Sequence, residues 1–192
     1  MRFIVNKIKQ EVELLQSLKI CGEAFNKKCP LFLFENIPAS DFMTYYYSIK
    51  SIILDSPFSY SLSLNNQMKA AFVCIPCLKA PKHEVPKSMV DYDEYFNRKF
   101  EENKSFMNEE KCLYGLFLGS MIPGAGKILY SRTFEDMKKE GFTQMYWEMS
   151  NPWNTHILNK LGRELNGLKI DLIHQDFYKK KIKVDFFLTN LD

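Results

Sequence analysis

The sequence predicts a mixed α/β fold, in which a central mixed β-sheet is flanked by helices. Three observations predict it. The chain opens with a short apolar segment followed by apolar side chains at helical spacing, and its middle contains a strictly alternating run. Its second half contains a strand, a glycine turn and a helix, then a strand and a helix, and finally two closing strands. With 192 residues and 46% hydrophobic side chains the chain can bury a full core, and we expect a single domain over residues 1–192.

Apolar spacing and proline positions predict the first elements. A strand over residues 3–5 precedes an amphipathic helix that ends before Pro30. Ser40 and Asp41 provide N-cap chemistry for a second helix, which Pro57 terminates. The N-terminal region is therefore expected to contain one strand and two helices.

Strict alternation makes residues 58–64 the clearest strand, with aromatic and leucine side chains on one face and serines on the other. Asn65-Asn66-Gln67 supplies turn chemistry before a second β-like run over 68–74, which predicts a hairpin. Prolines and lysines over 78–87 indicate a linker, and helical spacing returns over 89–100. The later elements are predicted as a strand at 112–118, a helix at about 127–140, a strand at 143–149, a helix from Pro152 that ends at Gly162, and strands at 168–174 and 182–188.

Charge and hydropathy argue against two classes of partner. Lysine and arginine total 26 and aspartate and glutamate total 23, so the net charge of +3 gives no reason to expect a nucleic acid partner. The longest uncharged stretch, residues 112–126, contains glycines and a proline and falls short of the roughly 20 residues of a membrane helix. We therefore expect neither a nucleic acid nor a membrane partner.

The N-terminal sequence and the cysteines indicate a reducing compartment. The first apolar run is too short for a signal peptide, so the expected location is cytoplasmic, with the five cysteines reduced. Cys74 and Cys77 have the spacing of a metal-binding pair, but no second pair accompanies them. No metal site is predicted.

Gly124-Ala125-Gly126-Lys127 lies between a predicted strand and a predicted helix. Glycines at such a junction let the backbone approach a ligand, and the first N–H groups of the helix attract a phosphate. The Walker pattern fails because Ala125 and Gly126 follow Gly124, and the dinucleotide fingerprint fails because Leu129 replaces its third glycine. The segment predicts a phosphate site or, as the alternative, a tight turn alone.

Met121-Ile122-Pro123-Gly124-Ala125-Gly126 follows one predicted strand, and Asn151 follows the next. In these features residues 112–162 resemble the GCN5-related N-acetyltransferase (GNAT) superfamily, in which a (Gln or Arg)-x-x-Gly-x-(Gly or Ala) turn holds the pyrophosphate of coenzyme A (CoA). Met121 replaces the leading polar residue of that turn. Lys160-Leu161-Gly162 matches the ending of the family's next helix, whereas Leu158 stands where the family often has a tyrosine near the CoA sulfur.

The N-terminal half, with two helices before the hairpin and a long insertion before the strand at 112–118, resembles the eukaryotic arylalkylamine acetyltransferase branch of that superfamily. That branch often has a Phe, two intervening residues, acids and then Pro-Leu after the first helix. Residues 25–31 correspond to this stretch. Lys28 and Cys29 replace the acids, which removes one carboxylate that could act as a base.

The resemblance implies an acetyl-CoA N-acyltransferase-like fold and direct transfer of an acyl group from acetyl-CoA, or a related acyl-CoA, to a primary amine without a metal. It also implies that a backbone N–H near Leu116–Leu118 polarises the thioester carbonyl. The acceptor is expected to be a small-molecule or peptide amine, and a homodimer or larger assembly is compatible with the family. The residues assigned to the donor are Leu116, Leu118, Ile122, Gly124, Ala125, Gly126, Lys127, Asn151 and Asn154.

Glu148 and His156 are the candidate catalytic residues, because each can accept the proton of the amine. Each has a structural alternative, since a strand glutamate commonly faces solvent and a helix histidine is commonly solvated. Tyr114 and Tyr146 are alternative donors to the leaving thiolate. The alternative for the whole chain is a catalytically inactive GNAT-fold protein that serves as a binding or structural subunit.

Overall fold

The structure, a computed structural model, describes residues 3–77 and 82–191. The strands are β1 (Phe3–Lys7), β2 (Tyr60–Leu64), β3 (Gln67–Pro76), β4 (Cys112–Ser120), β5 (Gln144–Met149), β6 (Leu168–Tyr178) and β7 (Ile182–Leu191). The helices are α1 (Glu11–Lys28), α2 (Pro30–Glu35), α3 (Ala39–Tyr47), α4 (Lys50–Asp55), α5 (Val90–Asn103), α6 (Ala125–Lys139) and α7 (Pro152–Glu164). The strands form one sheet in the order β1-β2-β3-β4-β5-β7-β6, and among these described strands only β4 and β5 pair in parallel.

Two apolar cores cover the two faces of this sheet. The first core lies under α1 to α5 and contains Leu18 and Phe42, and the second lies under α6 and α7 and contains Leu129. Successive strand residues point to opposite faces. In the central strand β3, Val73 accordingly enters the first core and Phe72 enters the second. Helices on both faces of a mixed sheet confirm the predicted fold class.

The β2–β3 hairpin is confirmed by the structure. Both residues of its turn, Asn65 and Asn66, have positive φ angles of 52° and 60°. Two-residue hairpin turns with this backbone favour asparagine, because asparagine tolerates the left-handed region better than most residues. The turn chemistry therefore identifies the hairpin from the sequence.

The helices before the hairpin differ from the prediction of two, since the structure has four. Pro30, expected only to follow the first helix, occupies the first turn of α2, where its missing N–H costs nothing. The second predicted helix is divided into α3 and α4. The break between them begins at Ser48, directly after α3. The Ser48 hydroxyl donates to the Tyr45 carbonyl at 2.6 Å and accepts from the Glu84 backbone N–H at 2.9 Å. This side chain competes locally with continuous helical hydrogen bonding.

Other boundaries also differ from their predictions. Gly162 does not end α7, which continues to Glu164. A Cβ at Gly162 would lie 2.4 Å from Ile170 Cδ1, so this glycine allows α7 to contact β6 closely. Strand β6 continues to Tyr178. Of the predicted linker, residues 78–81 lie outside the described residues, and residues 82–86 contain neither helix nor strand.

The described residues contain no helix with the length and hydrophobicity that spanning a membrane requires. All five cysteines are buried and free. Cys77, directly after β3, lies beside Cys112 at the start of β4, and their sulfur atoms are 3.3 Å apart as hydrogen-bonded thiols.

Gly119 sets the distance between α1 and the sheet. A Cβ at this position would lie 2.5 Å from Cys21 Cα, which is a backbone atom of α1 and cannot rotate away. We expect Gly119→Ala to lower the free energy of unfolding by about 1–3 kcal/mol, the usual cost of overpacking a core. Urea denaturation measures this. Adding Cys21→Ala should not restore stability, because the Cα remains, and full restoration would contradict this contact.

Candidate active site

The two central strands separate part of the way along their length. Strands β4 and β5 pair from Cys112 opposite Gln144 to Gly115 opposite Trp147, and no pair follows. Strand β4 continues to Ser120 beside β3, and β5 continues to Met149 beside β7. The sheet therefore opens between its two central strands while each strand keeps its outer partner.

Two features produce this opening. Val73 pairs with Phe117 and Cys74 pairs with Gly115, so Leu116 is the extra residue of a β-bulge, which bends a strand and strengthens its twist. At the last paired position, a Cβ on Gly115 would lie 2.8 Å from Trp147 Cε3. The missing side chain of Gly115 thus admits the buried Trp147 indole at the point where the strands part.

A cavity of about 580 Å³ occupies the opening. Its walls come from the free half of β4, the end of β5, the α1–α2 junction, α5 and the first turns of α6 and α7. Of the residues predicted for the site, nine line the cavity: Leu116, Leu118, Ile122, Gly124, Gly126, Lys127, Glu148, Asn151 and Asn154. The fold thus brings together residues that are up to 38 positions apart in the chain.

Ala125 and His156 are the two predicted site residues that do not line the cavity. Ala125 is buried in the core beneath the glycine turn, and its backbone remains part of the first turn of α6. His156 is exposed on α7, whereas Trp153, Asn154 and Ile157 form the cavity face of that helix. The structure therefore does not bring His156 together with Glu148.

The glycine turn presents unpaired backbone donors to the cavity. Gly124 is the N-cap of α6, with a φ of 80°, and no side chain caps the helix. No atom lies within 4 Å of a Cβ position at Gly124, whereas a Cβ on Gly126 would lie 2.9 Å from Leu118 Cδ2. The start of α6 therefore lies at the cavity with no side chain capping its first N–H groups, and the positive end of the helix dipole there is suited to a phosphate.

The loop after β5 links the cavity to the N-terminal helices. The Asn151 side chain caps α7 by accepting from the Trp153 N–H at 3.0 Å, and it donates to the Lys28 carbonyl at 3.4 Å. Beside it, Cys29 Sγ lies 3.5 Å from Ser150 Oγ. These contacts hold the α1–α2 junction against the end of β5 and so close one side of the cavity.

Glu148 is a half-buried carboxyl held by two tyrosines. Tyr146 Oη donates to Glu148 Oε1 at 3.0 Å, Tyr114 Oη donates to Glu148 Oε2, and Asn103 Nδ2 donates to Tyr146 Oη at 3.1 Å. Burial raises the pKa of Glu148 to about 8, although both tyrosine hydrogen bonds act to lower it. A carboxyl with this pKa can exchange a proton near neutral pH.

Sequence reasoning missed the aromatic wall of the cavity. Phe25 and Phe32 from the α1–α2 region and Tyr92 and Phe96 from α5 line it. Their spacing in the sequence indicates only apolar helix faces, so no sequence signal separates them from the core. Leu158 is fully buried, which leaves no hydroxyl at the position where the GNAT resemblance places a tyrosine.

Within the described residues, no group of histidine, cysteine, aspartate and glutamate side chains is arranged to hold a metal ion.

Comparison with solved structures identifies the fold. The C-terminal condensation domain of Ebony, in complex with beta-alanyl-dopamine, is similar with a TM-score of 0.84 and 7% identity over 99% of each chain. Arylalkylamine N-acetyltransferase 2 from Aedes aegypti is similar with a TM-score of 0.69 and 12% identity over 100% of each chain. The protein yncA of Salmonella typhimurium, solved with its cofactor acetyl-CoA, has a TM-score of 0.61 and 9% identity over 99% of this chain and 94% of that one.

Comparison of the sequence with protein-family models and with curated proteins gives no match. At identities this low the structural likeness shows the fold alone. The predicted acetyltransferase-like fold is therefore confirmed, and solved structures with this fold include arylalkylamine N-acetyltransferases.

Glu148 should make stability depend on pH. Between pH 4.5, its ordinary pKa, and about 8 the unfolded chain has released this proton while the folded protein still holds it, so raising the pH favours unfolding. The Glu148→Gln variant has no ionisable group at this position. Its free energy of unfolding should therefore rise relative to that of the wild type as the pH increases across this window. Urea denaturation at several pH values measures the difference. Glu135→Gln, at an exposed glutamate on α6, is the control, and parallel pH profiles for wild type and Glu148→Gln would contradict the raised pKa.

Proposed function

We propose that this protein transfers an acyl group from acetyl-CoA, or a related acyl-CoA, directly to the nitrogen of a primary amine. The observation that carries the proposal is one cavity, between the separated strands β4 and β5, that contains a phosphate-suited helix start and a carboxyl with a raised pKa. The GNAT fold supports it, as do the names of neighbours that are acetyltransferases or were solved with acetyl-CoA.

The residues at the glycine turn fit the donor. The uncapped N–H groups at the start of α6 and the open space beside Gly124 suit the pyrophosphate of CoA. Asn151 and Asn154 line the same cavity as the turn and Glu148, and their polar side chains suit the amides of the pantetheine arm. When bound, acetyl-CoA supplies the thioester, whose carbonyl carbon is the electrophile.

The free edge of β4 orients that carbonyl. From Leu116 onward this edge has no strand partner on the β5 side, so its backbone N–H groups are available to the thioester oxygen. Donors aimed at an oxygen that gains negative charge stabilise the transition state more than the ground state. The bulge at Leu116 therefore contributes to the proposed reaction, because it helps to leave these N–H groups unpaired.

Glu148 accepts the proton of the amine. The attacking nitrogen must be neutral, and a base with a pKa of about 8 matches that task near physiological pH. Tyr114 and Tyr146 hold the carboxyl, one at each oxygen, and so fix its direction. The aromatic wall suits a small amine, in agreement with the beta-alanyl-dopamine of the Ebony complex.

A second candidate function is a catalytically inactive GNAT-fold subunit that retains CoA. Leu158 favours it, because no hydroxyl stands where the family often has its tyrosine. Tyr114 and Tyr146, the alternative proton donors, do not replace that hydroxyl, because both of their hydroxyls already donate to Glu148 and neither side chain lines the cavity. Donor binding without turnover on any amine tested would support this second candidate.

Gly126→Asp should abolish CoA binding. The side chain would meet Leu118 and Ile157, and its negative charge would lie in the first turn of α6, where the phosphates are expected. Isothermal titration calorimetry with acetyl-CoA measures the affinity, and circular dichroism checks folding. Gly126→Asn adds the same bulk without charge and should lose less affinity. Unchanged affinity in Gly126→Asp would contradict the placement of the donor.

Glu148→Gln should lower kcat by about 100-fold or more, in the range that removal of a general base produces. In the wild type, kcat/KM should rise with pH and level off above about pH 8 as Glu148 ionises. An amine acceptor screen with acetyl-CoA, followed by pH–rate profiles, measures both effects, with Glu135→Gln as the matched control. His156→Ala tests the other predicted base separately. If Glu148→Gln and His156→Ala both retain wild-type turnover at saturating acceptor, neither Glu148 nor His156 is the base.

A further inference from the structure

One large apolar side chain at the rim of the cavity has no packing explanation. The Trp153 side chain is 72% exposed, more than any other large hydrophobic side chain of the described residues, and it lines the cavity. The other tryptophan, Trp147, is 2% exposed. An indole left in water at the mouth of a ligand cavity offers a flat apolar surface to whatever enters.

The helix geometry places this indole beside the start of α6. Helices α6 and α7 leave the same ends of the parallel strands β4 and β5, and Gly126 packs against Ile157. Trp153 lies one turn before Ile157 on the same face, about 6 Å along the helix axis. Residue 153 therefore lies level with or just beyond the glycine turn along α7, and its exposed indole lines the same cavity as that turn.

The local structure holds Trp153 in this position. Its backbone N–H is fixed by the Asn151 cap at 3.0 Å, and the His156 ring meets it edge-on, with ring centroids 6.5 Å apart. The same rim includes Lys28, an exposed lysine that also lines the cavity. An aromatic plane and an ammonium group next to a phosphate-suited turn match a purine nucleotide.

We propose that Trp153 is a stacking platform for the adenine of the donor and makes the protein select CoA thioesters over thioesters on a bare phosphopantetheine arm. The proposal rests on the proposed function, because it requires the pyrophosphate at the glycine turn. It adds a specificity-determining residue on α7, outside the glycine turn and away from Glu148. Adenine stacking is worth about tenfold or more in affinity when an aromatic partner is replaced by alanine.

The test compares CoA with 4′-phosphopantetheine, which lacks the adenosine part, by isothermal titration calorimetry on the full chain. Trp153→Ala should weaken CoA binding by about tenfold and leave 4′-phosphopantetheine binding unchanged. Trp153→Phe keeps a ring and should retain most of the CoA affinity. Phe177→Ala removes a ring of similar exposure on β6, outside the cavity lining, and should change neither affinity.

Tryptophan fluorescence gives a second readout that does not depend on turnover. CoA should quench the emission of the exposed Trp153, and Trp153→Phe should lose this quenching. Trp147 is buried but also lines the cavity, so a change in emission that both ligands produce is assigned to Trp147.

Three results would overturn the inference. An equal loss of affinity for both ligands in Trp153→Ala would give Trp153 a structural role only. If the wild type binds 4′-phosphopantetheine as tightly as CoA, the result would instead favour an acyl donor whose phosphopantetheine arm is attached to a carrier protein. Binding of neither ligand by the wild type would overturn the proposed function itself, and this result is distinct from the other two.

Discussion

The proposed site depends on the short parallel ladder between β4 and β5, which ends at Gly115 and Trp147. If the ladder continued, the free edge of β4 would be paired and the cavity would be closed. Two local features stop it, the bulge at Leu116 and the Trp147 indole packed against Gly115. The opening costs little elsewhere, because β3 and β7 still pair with the outer edges of the two strands and apolar cores cover both faces.

The cavity joins two electrostatic environments that suit different chemistry. At the start of α6, unpaired N–H groups and the helix dipole favour negative charge. Around Glu148, burial disfavours negative charge and raises the pKa of the carboxyl to about 8. A donor that is anionic at one end and an amine that must lose a proton at the other would each find a suitable environment. The hydrogen bond from Asn151 to the Lys28 carbonyl closes one side of the cavity that contains both environments.

Local chemistry explains which features could be predicted from the sequence. The hairpin at Asn65-Asn66 and the Gly124 turn follow from backbone preferences of single residues, and the fold class follows from hydrophobic periodicity. The Leu116 bulge could not be predicted, because it is defined by pairing with β3. The aromatic wall and the place of His156 depend on how α1, α5 and α7 pack, which a periodic pattern does not encode. Ser48 divides the second predicted helix through a contact with Glu84, a residue far along the chain.

The most direct test of the central claim is calorimetric titration of the wild-type protein with acetyl-CoA and, in parallel, with ATP. Both ligands carry an adenine and phosphates, but acetyl-CoA alone has a pantetheine arm that can enter the opening between β4 and β5. The account expects saturable binding of acetyl-CoA at one site per chain and no comparable binding of ATP. Binding of neither ligand, or equal binding of both, would contradict the claim that this opening holds an acyl-CoA donor.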